Sequence, residues 1–204
     1  NYRVAYNFAH LKSSLLGLPI LLLAVITFFL AFQNVSDAAS YSQIQKDCFF
    51  FLNSKLSQFP NLIYNLTQLG DALIFLSILS IFIVPAPKMW EALIFASLFS
   101  LIFSTGLKNW FSVPRPAATF DHSSFVIIGK ALPGHSSLPS GHSITVFTFL
   151  TVLLFALMPK KYSSIFLDFT YTHNSFSVAF TRVGVGAHYP IDVVVGSILG
   201  YISG

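Results

Sequence analysis

Long apolar runs separated by short polar stretches set the first expectation for this chain. Apolar segments lie at about 14–32, 61–84, 91–107, 143–158, 162–181 and from 190 onward. Runs of this length are what a helix needs to cross the hydrocarbon core of a bilayer, which takes about 20 residues. The pattern predicts an all-α integral membrane bundle of six helices, forming one domain over residues 1–204. Its fifth segment, "YSSIFLDFTYTHNSFSVAFT", is interrupted by Asp168, His173 and Asn174. The first segment follows basic residues and is not followed by a small-residue cleavage site, so it reads as a retained helix rather than a signal peptide. The last residues, "GSILGYISG", stop in mid-run, which reads as a final helix truncated by the end of the chain. Between the first two spans lies a polar stretch, 33–60. Within it, Ile44 to Leu56 carries apolar residues at roughly helical spacing, predicting a short interfacial helix.

Composition strengthens the membrane reading. Of 204 residues, 54% are hydrophobic, 23 are phenylalanine and only 9% are charged, with a mean hydropathy of +0.72. A soluble core of this size could not hide that much apolar surface. The net charge of +4 is small, and no basic run with interleaved aromatics suggests a nucleic-acid partner. Cys48 is the only cysteine, so an intramolecular disulfide is excluded; beside "FFFL" it reads as a small apolar filler. The basic residues also orient the bundle. With the N-terminus inside, Arg3, Lys12, Lys88, Lys160 and Lys161 fall on the cytoplasmic side, and Lys46, Lys55 and Lys130 fall opposite, together with Lys108, Arg115 and Arg182, which are set aside as candidate chemistry. The loops at 108–142 and 182–190 then share the outer face with 33–60.

Those two loops carry the ionisable residues that hydropathy leaves unexplained, and ionisable groups at membrane depth point to function. "KNWFSVPRP" holds Lys108 and Arg115, the latter between two prolines that exclude helical backbone. Lys108 could simply snorkel to the interface, whereas a rigidly held guanidinium suits bidentate recognition of an oxyanion. "LPSGHS" precedes the fourth span. Ser140 can cap that helix, Gly141 lets backbone approach a ligand, and His142 faces the same anion-attracting helix start. Read alone, it is also an ordinary turn and cap. In "TRVGVGAHYPID", Arg182 and His188 precede Asp192, placed four residues after the histidine. Asp192 either fixes the imidazole tautomer, freeing the other nitrogen as a nucleophile or base, or merely caps a helix dipole. Together the groups place cations, amide donors and two histidines at one face, which suits phosphoryl transfer.

The three motifs, K-x6-RP (Lys108 to Pro116), PSGH (Pro139 to His142) and [ST]R-x5-H-x3-D (Thr181 to Asp192), resemble the signature motifs of the type 2 phosphatidic acid phosphatase (PAP2) superfamily, in that family's order. They span residues 108–192, and Thr181 stands where the family usually has serine. The resemblance implies a bacterial inner-membrane lipid phosphatase without cofactor or metal, its site facing the periplasm. Its substrate would be a lipid phosphate in the bilayer, such as undecaprenyl pyrophosphate, lipid A or phosphatidylglycerol phosphate. It implies His188 as nucleophile oriented by Asp192, and His142 as the acid that protonates the leaving oxygen. Lys108, Arg115, Arg182, Ser140 and the Gly141 amide would hold the phosphoryl oxygens. Asp121, His122, Lys130 and His135 in the intervening loop are candidate headgroup contacts. Transfer of the phosphoryl group to a second lipid is the alternative. A channel or transporter fits less well, because it would spread its charges through several spans.

Overall fold

The computed structural model describes the backbone of residues 2–9, 11, 13–157 and 165–204, and the side chains of 4–9, 11, 13–156 and 173–204. Arg3, Lys12, Lys160, Lys161 and Asp168, used above for topology or noted as interruptions, have side chains outside the described residues. All regular structure among the described residues is helical. In chain order the helices are α1 (Tyr2–Ala9), α2 (Gly17–Phe32, extended by a 3-10 turn from Ser13), α3 (Ala38–Ile44), α4 (Lys46–Leu56), α5 (Pro60–Gln68) and α6 (Ala72–Leu79). They continue as α7 (Pro87–Phe111), α8 (Pro116–Thr119), α9 (Gly141–Leu157), α10 (Ile165–Gly184) and α11 (Pro190–Ser203).

The apolar runs therefore became helices, but not all as single spans. Ser13–Phe32 and the helix starting at Pro87 are each long and apolar enough to cross a membrane, whereas Gly141–Ala156 and Pro190–Ser203 are shorter apolar helices. The run at 61–84 departs from expectation: it is a bent pair, Pro60–Gln68 and Ala72–Phe82, with a 64° break. Pro60 starts α5 at a position that needs no N–H, and the break falls at the other end of that helix. Asp71 then starts a new helix, its carboxylate accepting from the amides of Leu73 at 2.9 Å and Ile74 at 3.3 Å. The short helix expected over Ile44 to Leu56 is α4, Lys46–Leu56, and a further helix, α3, precedes it, the two parted at Gln45. A capping box of Asp37 and Ser40 starts α3. Cys48 is exposed on α4 and packs into no core, contrary to the filler reading.

The helices run between two ends. At one end Val4 of α1, Leu79 at the close of α6, Met89 at the start of α7 and Ala156 near the end of α9 share a buried cluster. Lys88 lies beside it, pairing with Glu91 at 2.7 Å on the exposed surface. At the other end Tyr41, Phe49, Val113, Phe125, Tyr189 and Val193 form a second cluster. There the aromatic rings of Phe49, Phe50, Phe120, Phe125 and Tyr189 pack mostly edge to face, with Phe49 and Phe125 centroids 5.3 Å apart. Chain direction puts the ends of α2, α7 and α10 and the starts of α9 and α11 at this second end.

One helix pair fixes that end. Gly196 and Gly200 on α11, and Gly204 just after it, recur every fourth residue on the face that meets α9. A Cβ at Gly196 would lie 2.7 Å from the Ser140 carbonyl oxygen, and one at Gly200 would lie 2.5 Å from that of Ile144. Glycine is required at both positions because backbone, not a movable side chain, occupies the space. In a bilayer, lipid tails are as apolar as leucine, so helices associate by such close approach of small residues. The consequence is positional: α9 and α11 begin side by side, and the Ser140 amide donates to the Asp192 carbonyl at 3.1 Å.

Candidate active site

The first turn of α11 builds the centre. Pro190 occupies its N1 position, and Asp192 reaches back to accept from the Tyr189 amide at 2.9 Å. The same carboxylate accepts from the Ser137 hydroxyl at 2.5 Å on Oδ2 and from the Tyr41 hydroxyl at 2.7 Å on Oδ1. It is fully buried, and a buried carboxylate is tolerable only when donors replace water in this way. His188 turns Nδ1 toward it, 3.5 Å from Oδ2. This contact is too long for a made hydrogen bond, and Nδ1 has no other partner. With Nδ1 facing the carboxylate, Nε2 is the nitrogen left for chemistry. Burial lowers the His188 pKa to about 4, against the pull of Asp192 and aided by Arg182 and Arg115, so the ring is neutral at ordinary pH.

The loop that carries His188 is wound back on the end of α10. The Arg182 carbonyl accepts from the amides of Ala187 at 3.0 Å and His188 at 3.3 Å. Gly186 takes φ +78 there, against Phe125 and the Val126 carbonyl. Asn53 of α4 closes the turn from outside. Its Nδ2 donates to the carbonyls of Val126, Val183 and Gly184 at 2.9, 3.0 and 3.1 Å, and its Oδ1 accepts from the Val126 amide at 2.9 Å. Arg182 is buried, donates from one terminal nitrogen to Thr67 Oγ1 at 2.9 Å, and leaves Nε without a partner. Thr181, by contrast, turns its hydroxyl back onto the Val178 carbonyl of its own helix.

The other two motifs reach the same place. A Cβ at Gly141 would lie 3.3 Å from the Lys108 ammonium, and one at Gly70 would lie 2.8 Å from Cβ of His142. The break between α5 and α6 therefore sits directly beside the histidine. Arg115 is fixed by its backbone, its amide donating to the Gly134 carbonyl at 2.8 Å and its carbonyl accepting from Ala118 at 2.8 Å. Burial lowers the Arg115 pKa, and Asp192 opposes that. Ser140 is fully buried and uses its hydroxyl in the α9 cap, accepting from the Ser143 hydroxyl at 2.9 Å and more weakly from its amide at 3.4 Å. Its side chain thus serves the helix start. The loop candidates Asp121, His122, Lys130 and His135 are exposed; Asp121 and His122 satisfy their own loop through Ser123, Ser124 and the Ala117 carbonyl.

All eight residues named from sequence meet at this end. Lys108, Arg115 and Arg182 form no ion pair with a carboxylate among the described residues, and the one acid acting on Arg115 and His188 is Asp192. Partly buried cations without acidic partners describe a site arranged for an anion. Among the described residues, no three His, Cys, Asp or Glu side chains are grouped to hold a metal. Sequence reading missed Tyr41, Asn53, Thr67, Gly70 and Ser137. The usable signal was the spacing of Tyr41, Gln45 and Asn53, four and eight residues apart within the polar stretch 33–60, which suits one face of a helical reading.

Comparison with known proteins adds the following. Residues 90–204 match the family model described as the PAP2 superfamily. Lipid A 1-phosphatase of Rhizobium johnstonii is 37% identical over 97 residues, 46% of this chain and 36% of that protein. Its Rhizobium etli counterpart is 36% identical over 97 residues, 46% of this chain and 38% of the relative. The chain thus spans well under half the length of these curated relatives. The Aquifex aeolicus LpxE crystal structure superposes with a TM-score of 0.64 at 23% identity, over 78% of this chain and 92% of that one. The first transmembrane PAP2 type phosphatidylglycerolphosphate phosphatase from Bacillus subtilis superposes with a TM-score of 0.61 at 18% identity, over 89% and 90%. Both likenesses are of fold.

Proposed function

Since the chain belongs to the PAP2 superfamily, we propose that it is a membrane lipid phosphatase working through a phosphohistidine. The observation that carries this is the set of three cations without acidic partners, gathered around a buried histidine–aspartate pair. His188 Nε2 attacks phosphorus in line while the bond to the leaving oxygen breaks. His142 gives that oxygen its proton. The transition state spreads charge over the equatorial oxygens, where Lys108, Arg115, the unpaired Nε of Arg182 and the Gly141 amide stabilise it. Asp192 stabilises the imidazolium-like charge that develops on His188, as the carboxylate of a catalytic triad does. Water deprotonated by His142 then attacks phosphorus, releasing phosphate and restoring His188. The Ser140 hydroxyl supports this through the α9 cap, while its neighbouring amides face the anion.

The substrate is a lipid whose phosphate lies at the outer interface of a bacterial inner membrane. The placement of Lys88 at the end opposite the site supports a site facing the periplasm. Among candidate lipids, the relatives named as lipid A 1-phosphatases favour a lipid A phosphate. The test is phosphate release by purified protein from lipid A 1-phosphate, undecaprenyl pyrophosphate and phosphatidylglycerol phosphate. Fastest release from the first supports both activity and substrate. Release only from another member overturns the substrate, and no release from any overturns the activity. Appearance of label in an added lipid acceptor, instead of free phosphate, would make the protein a phosphotransferase.

A further inference from the structure

The Asp192 carboxylate has a donor that lies outside all three motifs. Tyr41 sits on α3, more than 60 residues before Lys108, yet its hydroxyl is 2.7 Å from Asp192 Oδ1 in a fully enclosed setting. One helical turn later, Gln45 joins the same junction. Its Oε1 accepts from the Ile191 amide at 2.8 Å, and its Nε2 donates to the Tyr41 carbonyl at 3.0 Å. A helix start exposes amides that lack partners. Here Gln45, the residue that ends α3, satisfies one of them, and Tyr41 on α3 holds the orienting carboxylate. The Tyr41 ring is itself fixed, edge-on to Tyr189 with centroids 6.2 Å apart. Such a set is more than capping requires, because Asp192 already accepts the Tyr189 amide.

We infer that Tyr41 is a positioning residue for the nucleophile, acting through Asp192 from an interfacial helix that the family motifs do not include. This rests on the proposed phosphohistidine chemistry. The carboxylate has two oxygens with distinct duties. Oδ1 is occupied by Tyr41, whereas Oδ2 takes Ser137 and the Tyr189 amide and faces His188 Nδ1 at 3.5 Å. Pinning Oδ1 stops the carboxylate rotating, so Oδ2 stays aimed at the ring. The hydroxyl also withdraws charge from the carboxylate and so tempers its pull on the His188 proton. Burial and the adjoining carboxylate both raise the Tyr41 pKa, which keeps the hydroxyl protonated and a donor throughout the working range. The groups facing Asp192 are Tyr41 from α3, Ser137 from the loop before α9, and His188 and the Tyr189 amide from its own loop; the charges of Lys108 and Arg115 act from α7 and the loop after it.

The test compares wild type and Tyr41→Phe in detergent micelles, measuring phosphate release against pH with thermal unfolding in parallel. The expected result is a kcat lower by about tenfold, the scale of one hydrogen bond to an ionised group. KM should stay within about twofold, since ground-state binding is untouched. The acid limb of the kcat profile should move to higher pH, because a carboxylate relieved of one donor attracts the His188 proton more strongly. A merely structural tyrosine would lower the unfolding temperature and the amount of active enzyme without moving the limb; that result overturns the inference, as does an unchanged kcat. Should Tyr41→Phe fail to assemble, 3-fluorotyrosine at position 41 keeps ring and hydroxyl while donating more strongly. The limb must then move to lower pH, and a static limb overturns the inference. Absence of release by wild type overturns the proposed function and this inference with it. Normal wild-type release with an unaffected variant overturns this inference alone.

Discussion

Helix α2 and the pair α9–α11 are all apolar, yet they hold opposite places in the molecule. α2 buries only Pro19 among its residues and presents Leu18, Ile20, Leu21, Val25, Phe28 and Phe32 outward. α11 buries Gly196, Ser197 and Gly200 against α9, which in turn buries Ser143, Thr148 and Thr151. The more apolar helix faces lipid, and the helices with small and hydroxyl residues form the packed interior. That inversion follows from the solvent. Burying leucine gains nothing when the surroundings are hydrocarbon, so contact area and polar pairing decide which helices touch. The lesson extends to chemistry, because the tightly packed pair is also the one that starts at His142 and Asp192. A site needs its groups held within fractions of an ångström, and rigid, glycine-spaced backbone contact supplies that.

Substitutions at the two faces test the contrast. Gly200→Val should have the largest effect, since its first carbon would lie 2.5 Å from the Ile144 carbonyl and the helices must part. Overpacking of this kind costs about 1–3 kcal/mol or more, read as a lower unfolding temperature in detergent together with lost activity. Asn53→Ala comes next. It strands the carbonyls of Val126 and Gly184 and the Val126 amide, and leaves the Val183 carbonyl only the Gly186 amide, around the loop that carries Arg182 and His188. A cost of about 1–3 kcal/mol is expected, with kcat reduced beyond what the folded fraction explains. Gly70→Ala is smaller in stability but directed at chemistry. Its methyl group would press on His142 from 2.8 Å, so phosphate release should fall while unfolding changes little. Smallest of all is Leu21→Ala on α2, an outward side chain whose loss should change stability by no more than about 0.5 kcal/mol. An α2 effect rivalling that of Gly200→Val would break the comparison.

The pH profile sharpens the site half of it. His188 has its pKa lowered to about 4 by burial, so its ring is neutral at all higher pH. kcat/KM should therefore hold on the acid side down to about pH 5 and fall as pH drops through 4. A fall centred near the free-imidazole value of about 6.5 would mean the ring is solvated rather than enclosed.

Much of this was legible before any coordinates, and the rest was hidden for identifiable reasons. The apolar spans and the bias of basic residues brought Lys108, Arg115, His142, Arg182, His188 and Asp192 to one face, because each stands beside a helix end and helix ends alternate between faces. Hydropathy could not show that 61–84 bends by 64° at Gly70, since an apolar run reads alike whether it is straight or broken. The signal for the break, glycine followed by the capping Asp71, was present but weak. Thr181, which stands where the resembled family usually has serine, bonds its own helix. Tyr41 and Asn53 were out of reach because their partners lie 151 residues away for Asp192, and 73 to 131 residues away for Val126, Val183 and Gly184. No local pattern encodes such contacts. The spacing of Gly196, Gly200 and Gly204 was readable as a packing face, and its meaning became clear only once α9 lay against it.

The central claim is that His188 carries the phosphoryl group. It is tested most directly by rapid quench of the purified protein with 32P-labelled lipid phosphate, followed by denaturing electrophoresis and peptide mapping. An alkali-stable, acid-labile label is expected on the peptide containing His188, absent from His188→Ala and prolonged in His142→Ala, whose water is not activated. Turnover by His188→Ala near the wild-type rate, or label mapping to any other residue, would contradict it.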